Sequence, residues 1–340
     1  MFMKNRFRVS FRHLRSLLQL SAVVLTLALC SAGIKADDGG SIKVDRLDFS
    51  VTLSDGNTYT IAGFLYYRGS FHDKTIQVLV HGATYNHKYW DVPSINGQNY
   101  SYVRFMAEEG YALLAIDQLG TGLSSKPDGD FVTLAETSSA LHQVLTQLRS
   151  GNNPSGEAFN RIVLVGHSFG SINSILVQGT YNDADALVVT ALGHVPHPLP
   201  IPPDLIPVLA QFPYFGLPPE VRAQLFYHAP SADPNVIAYD NANLADLLTR
   251  GQLFTTFAAI FNPAADKVGM VTSPVLVQLG ENDALWPSQF ASGEAAFWTS
   301  ASSITVQSLP QVGHAFNTHL DNKRGWKLIN QWIDSTIGGN

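Results

Sequence analysis

The sequence predicts an α/β fold: a doubly wound, mostly parallel sheet with helices on both faces. Three observations carry this. Short, solidly apolar runs recur along the chain, longer amphipathic stretches separate them, and an alternating pair flanks one Asp-Gly turn near the start. Solid apolar runs suit strands buried on both faces of a parallel sheet, and alternation with helical patterns suits crossover connections. With 340 residues, 45% hydrophobic and 14% charged, the chain has ample material for one large domain with an insertion and is not a disordered polyelectrolyte.

Taken in order, residues 1–36 come first. They carry six basic residues (Lys4, Arg6, Arg8, Arg12, Arg15 and Lys35) and no acid. An apolar run from Leu17 to Cys30 follows the basic cluster, and small residues (Ser31, Ala32, Gly33, Ala36) follow the run. Basic, apolar, small is the order of a secretory signal peptide, with Ala32 or Ala36 as the last residue removed. The run is 14 residues long, short of the ~20 that span a bilayer, so no membrane span is expected after cleavage, with an uncleaved membrane anchor as the alternative. The protein is therefore expected to be secreted or periplasmic. Leu29 stands where a lipoprotein signal would place a small residue, which argues against lipidation of Cys30. Cys30 is the sole cysteine, so the processed chain has neither disulfides nor thiol chemistry. Beyond residue 36 there remain 15 basic against 27 acidic residues, a net charge of −12. That excludes a nucleic-acid partner on electrostatic grounds.

Residues 42–53 and 59–67 alternate and flank Asp55-Gly56, the pattern of an antiparallel hairpin. Apolar strands are expected at 75–80, 111–116, 162–165, 186–191, 275–279 and 304–309. Helical patterns cover 100–109, 133–148, 169–178, 293–299 and 322–337. The stretch 195–219 interrupts this order, because it holds 9 of the 18 prolines. Proline cannot donate to a sheet ladder and disfavours helix at the residue before it, so the stretch is no further strand–helix unit. With the helical patterns that follow to about residue 260, it forms a lid expected to cover the sheet edge where substrates bind. The expected organisation is a signal peptide at 1–36, a core at 37–194, a lid insertion at 195–270 and the rest of the core at 271–340.

The chemistry centres on Gly166-His167-Ser168-Phe169-Gly170, which directly follows a buried strand and precedes a helical pattern. So tight a strand-to-helix turn excludes bulk at the flanking glycines and holds a serine hydroxyl above the sheet. Serine needs a base to become a nucleophile. Of the ten histidines after residue 36, His314 stands just after the last strand, on the edge where Ser168 should emerge. His319 is the second choice and is expected to be more exposed, while His167 is expected to be structural. A carboxylate should orient the base. Asp283 follows the penultimate strand, with Glu281 its competitor, and the sixth strand ends at Leu192-Gly193 without one. Two N–H donors must hold the oxyanion. Phe169, after the serine, supplies one, and Ala83 in His81-Gly82-Ala83-Thr84 the other, with Thr84 second.

These residues carry a resemblance. His81-Gly82, Asp117-x-x-Gly120-x-Gly122-x-Ser124, Gly166-x-Ser168-x-Gly170, Asp283 and His314 occur in an order similar to that of the α/β-hydrolase family, over roughly residues 42–338. The resemblance implies the α/β-hydrolase fold and a serine hydrolase acting through an acyl-enzyme, with a carboxylic ester as the first expectation and a lactone or amide next. Carbon–carbon hydrolysis, perhydrolysis or acyl transfer could use the same residues on the same fold, and a non-catalytic binding protein could retain it. Asp117 matches a structural loop of the family. The oxyanion loop departs from the glycine-rich run of some lipases. No phosphate loop or dinucleotide fingerprint is present, and the pairs His81/His87 and His194/His197 lack a third ligand at a closing spacing, so neither cofactor nor metal is expected. Tyr85, Tyr89 and Trp90 fit a pocket wall or packing beneath the loop equally well. Phe212, Tyr214, Phe215, Phe226 and Tyr227 are expected mainly as the lid's core, and together they favour an apolar acyl or aryl substrate. Asn99-Tyr100-Ser101 would accept a glycan in a eukaryotic host.

Overall fold

The computed structural model describes residues 40–338 apart from Phe261. The expected signal peptide lies outside the described residues. Eight strands form one sheet: β1 (Ile42–Thr52), β2 (Thr58–Arg68), β3 (Ile76–Val80), β4 (Ala112–Ile116), β5 (Ile162–His167), β6 (Ala186–Thr190), β7 (Val275–Gly280) and β8 (Ile304–Leu309). Their spatial order is β1-β2-β4-β3-β5-β6-β7-β8. The β1–β2 and β2–β4 pairs are antiparallel and all the others parallel. The hairpin register runs unbroken from Ile42 opposite Arg68 to Thr52 opposite Thr58, closed by Gly56 at φ 78°.

Every residue of β3, β4, β5, β6 and β7 is buried, as their unbroken apolar runs require of strands covered on both sides. The helices are α1 (Tyr102–Glu108), α2 (Leu134–Ser150), α3 (Phe169–Tyr181), α4 (Leu205–Leu209), α5 (Pro219–Phe226), α6 (Pro234–Asn243), α7 (Arg250–Ile260), α8 (Pro263–Asp266), α9 (Ala291–Glu294) and α10 (Asn322–Ile337). Helices α2 and α3 cover one face, over Val78, Val80 and Leu164; α1 and α10 cover the other, over Leu79, Leu113 and Val165.

The register positions the site. Val80 lies opposite both Ile116 and Gly166, His167 opposite Thr190, and Thr190 opposite Gln278. The C-terminal ends of the parallel strands therefore finish side by side, and the loops that leave them meet along one edge. This is where ligands of open α/β sheets bind.

Residues 195–270 lie between β6 and β7 and comprise α4 to α8 with a two-stranded ribbon pairing Tyr214–Phe215 with Leu248–Thr249. Helices α5, α6 and α8 each start on a proline (Pro219, Pro234, Pro263), where the missing N–H has no intrahelical partner to lose.

Two expected helices differ. The pattern at 100–109 begins as a strand, Gln98–Ser101, paired with Asp91–Ile95; α1 starts only at Tyr102 because Ser101 caps it, accepting from the Arg104 N–H at 3.2 Å. At 293–299 the helix α9 is already finished at Glu294, followed by a 3₁₀ turn at Ala295–Phe297. Here the Glu294 side chain turns inward to the Trp298 indole N–H (2.9 Å) and His194 (2.6 Å).

Candidate active site

Ser168 sits between β5 and α3 with φ 53° and ψ −119°, a left-handed backbone that a non-glycine residue adopts only under constraint. The constraint is visible on both sides. A methyl group on Gly170 would lie 2.1 Å from the Val80 carbonyl oxygen, and one on Gly166 2.5 Å from Ser171 Cα. Only hydrogen fits at either position, and this is why the turn reads Gly-x-Ser-x-Gly. The Ser168 amide donates to the Thr190 carbonyl at 2.9 Å, tying the turn to β6.

The hydroxyl of Ser168 lies 2.9 Å from Nε2 of His314. Nδ1 of His314 in turn lies 3.0 and 2.9 Å from the two carboxylate oxygens of Asp283. All three are buried; Ser168, at 7% exposure, keeps the most contact with solvent. Asp283 Oδ1 also accepts from the Leu285 and Trp286 amides at 2.8 and 3.0 Å, which fixes the orientation of the carboxylate. With both its oxygens facing Nδ1–H, Nε2 is left as the acceptor for the serine proton. The competitors are spent elsewhere. Glu281 accepts from the Gln311 amide at 3.0 Å. His319 is fully buried rather than exposed, because Nε2 accepts from the Gly313 and His228 amides (3.1 and 3.2 Å) while Nδ1–H donates to the Ala315 carbonyl (2.9 Å). Burial pushes its pKa down to about 4, so it holds the His314 loop as a neutral ring. His167 is buried and stacks on Tyr89 at 4.5 Å, its centroid 5.3 Å from that of His314; burial holds it neutral.

Phe169 is the first residue of α3, so its N–H has no intrahelical partner. The loop after β3 closes against the serine, since a methyl group on Gly82 would meet Ser168 Cβ at 3.1 Å. Ala83, Thr84, Ser168 and Phe169 share the floor of one pocket of about 540 Å³. Apart from Ser168 and Thr84, every side chain in its wall is apolar. Ile201, Leu205, Leu209, Phe215, Leu225 and Phe257 supply much of that wall, and Leu285 extends it from the Asp283 loop. Of the aromatic residues picked out in the lid, Phe215 and Phe226 line the pocket, whereas Phe212 is not in the lid's core but 57% exposed. Tyr85, Tyr89 and Trp90 pack beneath the loop rather than in the wall.

The other histidines have identifiable partners. His81 donates through Nδ1 to the Gly82 carbonyl (2.8 Å) and accepts the Gln118 amide at Nε2 (3.1 Å). His87 meets Asp117 Oδ1 at 2.7 Å, and Asp117 also accepts the His87 and Leu123 amides. His194 bridges Glu294 (2.6 Å) and Asp266 (3.1 Å). Sequence reasoning missed Arg222, Asp240 and Asp246, which converge on the loop after β3; single charges in helical or loop patterns carry no signal of burial.

A strained serine at a strand–helix turn, a histidine–carboxylate relay and an apolar pocket at the strand ends define a hydrolase of the α/β type. Residues 77–323 match the model of the alpha/beta hydrolase family, and the chain belongs to that family. Among solved structures it is similar to an esterase from Thermogutta terrifontis, at 17% identity with a TM-score of 0.58, over 86% of this chain and 99% of that one. It is similar to a monoacylglycerol lipase from Paleococcus ferrophilus, at 17% identity, TM-score 0.58 and the same coverage. A bromoperoxidase from Bacillus anthracis matches at 16% identity and TM-score 0.60, over 84% and 99%. At these identities the likeness is one of fold. No curated protein matches the chain. Among the described residues no helix is long and apolar enough to cross a membrane.

Proposed function

We propose that the protein is an exported serine hydrolase that cleaves a carboxylic ester of an apolar acyl group, without a cofactor. The observation that carries this reading is the hydrogen-bonded series Asp283–His314–Ser168 ending at the floor of an apolar pocket. Ser168 Oγ attacks the ester carbonyl as its proton passes to His314 Nε2. The N–H groups of Phe169 and Ala83 receive the oxyanion. Collapse breaks the C–O bond, and His314 returns the proton to the departing alcohol. Water, deprotonated by His314, then releases the acid and restores the serine. Asp283 keeps the proton on Nδ1 and stabilises the imidazolium. Residues 195–270 act as the lid, and the basic, apolar, small order of residues 1–36 supports export.

The test pairs the full chain with Ser168→Ala. Labelling by a fluorophosphonate at Ser168, a burst of product from p-nitrophenyl butyrate, and a loss of kcat on the order of 10⁴-fold in the variant are expected. Equal turnover by the variant would overturn the reading. Cofactor-free perhydrolysis is the second reading, favoured by the fold shared with the bromoperoxidase; hydrogen peroxide-dependent peracid formation from acetate, lost in Ser168→Ala, would identify it.

A further inference from the structure

The loop that follows Ala83 is held residue by residue. Thr84 has φ 57°, a left-handed conformation that is an outlier for a β-branched side chain. Such strain persists only where the surroundings impose it. Arg222 Nη1 donates to the Thr84 carbonyl at 3.1 Å and to its hydroxyl at 2.8 Å, and the Asp246 amide donates to the same carbonyl at 2.9 Å. The Tyr85 hydroxyl donates to Asp240 Oδ2 (2.9 Å), the Asn86 side-chain amide to Asp246 (2.8 Å) and the His87 amide to Asp117 (2.7 Å). Arg222 Nη2 and Asp240 Oδ1 pair at 2.5 Å, and the Tyr227 hydroxyl donates to Asp240 Oδ2 at 2.6 Å. The guanidinium lies over the rings of Tyr85 and Phe226, 4.6 and 5.2 Å from their centroids. Arg222 is 1% exposed and Asp240 not at all.

A buried ion pair contributes little stability over well-packed apolar residues of equal volume, so its presence here is not explained by stability alone. What it supplies is direction. Two donors on one carbonyl and one on the hydroxyl fix the Thr84 peptide in a conformation the residue would otherwise avoid, one residue after Ala83. We propose that Arg222, oriented by Asp240, is a positioning residue that holds the Ala83 N–H at the oxyanion site. The proposal rests on the acyl-transfer reading above. Helices α5 and α6, though within the expected lid, thereby belong to the rigid support of the reacting centre.

The experiment uses the full chain with p-nitrophenyl butyrate as substrate and phenylboronic acid as a tetrahedral mimic, all rates being expressed per folded molecule. Misplacing one oxyanion donor costs up to about 10²-fold. Arg222→Met should lower kcat about 30-fold, keep KM within about twofold and weaken boronate inhibition in parallel with kcat. Arg222→Lys should restore part of the loss. Where Arg222→Met does not fold, Thr84→Ala decides, with kcat expected about threefold lower at unchanged KM. Unchanged kcat and boronate inhibition in the folded variant overturn the proposal, as does a kcat loss that the boronate does not follow. Ser168→Ala separates the two readings: if it is inactive while Arg222→Met is normal, only the positioning role falls, and if it is active the parent reading falls.

Discussion

Residues 198–209 and residues 214–246 line the same pocket, yet they are attached to the protein by different forces. Among the described residues, those of the first stretch exchange hydrogen bonds only with one another and with residues up to Phe212. Their hold on the pocket is apolar contact, through Ile201, Leu205, Ile206 and Leu209. Val208 and Phe212 face solvent. The second stretch carries Arg222, Asp240 and Asp246, all bonded to the loop after β3. Apolar contacts can be exchanged for a substrate's acyl chain at little cost, because one apolar surface replaces another. A buried guanidinium cannot leave its carboxylate so cheaply. One insertion thus combines a replaceable wall with a fixed support.

A third tie fastens both ends of the insertion. His194, just before it, meets Asp266 near its end and Glu294 on the core. Burial alone would push this imidazole down, but the two carboxylates outweigh it and raise its pKa to about 9.

The largest expected difference between the two stretches is in stability. Asp240→Ala leaves a buried guanidinium without its counter-charge and should cost about 3–5 kcal/mol in urea unfolding. A loss comparable to that of an ordinary surface substitution would show that the second stretch is not a fixed support. Next comes pH. Because the folded pKa of His194 lies above its unfolded value of ~6.5, its contribution of about 3 kcal/mol is complete below pH 6.5 and disappears as pH rises through about 9. Urea midpoints measured from pH 6 to 10 should fall over that window in the parent and lose this component in His194→Gln; parallel curves would contradict the assignment. Smaller still, Leu209→Ala should raise KM for p-nitrophenyl octanoate about fivefold while leaving the acetate ester unchanged, since only the longer chain reaches that wall. Equal effects on both esters would remove the distinction between wall and support. Smallest of all, Val208→Ser and Phe212→Ser should each change stability by no more than about 0.5 kcal/mol. In the parent, amides of residues 205–209 should exchange hydrogen faster than those of α5 and α6.

Much of the frame was legible in the sequence, and so were the positions that converge at the strand ends. Ile304–Leu309 and Asn322–Ile337 match their expected spans, and the hairpin formed where its alternation and Asp55-Gly56 pointed. These features rest on local causes, namely side-chain periodicity and the steric demands of glycine, which a short stretch of chain carries whole. Ser168, His314 and Asp283 were accessible for a related reason: each stands where a recognisable strand ends, and parallel strands bring such ends to one edge.

The remaining features depend on partners far apart in sequence. Nothing near Arg222 says that it is buried, because a charge in a short helical pattern reads as solvated until Thr84 and Asp240 are placed beside it. His319 reads as exposed until the Gly313 and His228 amides close on its ring. The truncated helix at Glu294 likewise follows from a bond to His194, a hundred residues away. Which segments become strands and helices, and which loops meet, is written locally in the chain, because backbone preference and burial pattern act over short stretches. The direction of each buried polar group was left to the fold, because a hydrogen bond needs both partners in place before either has a preferred geometry.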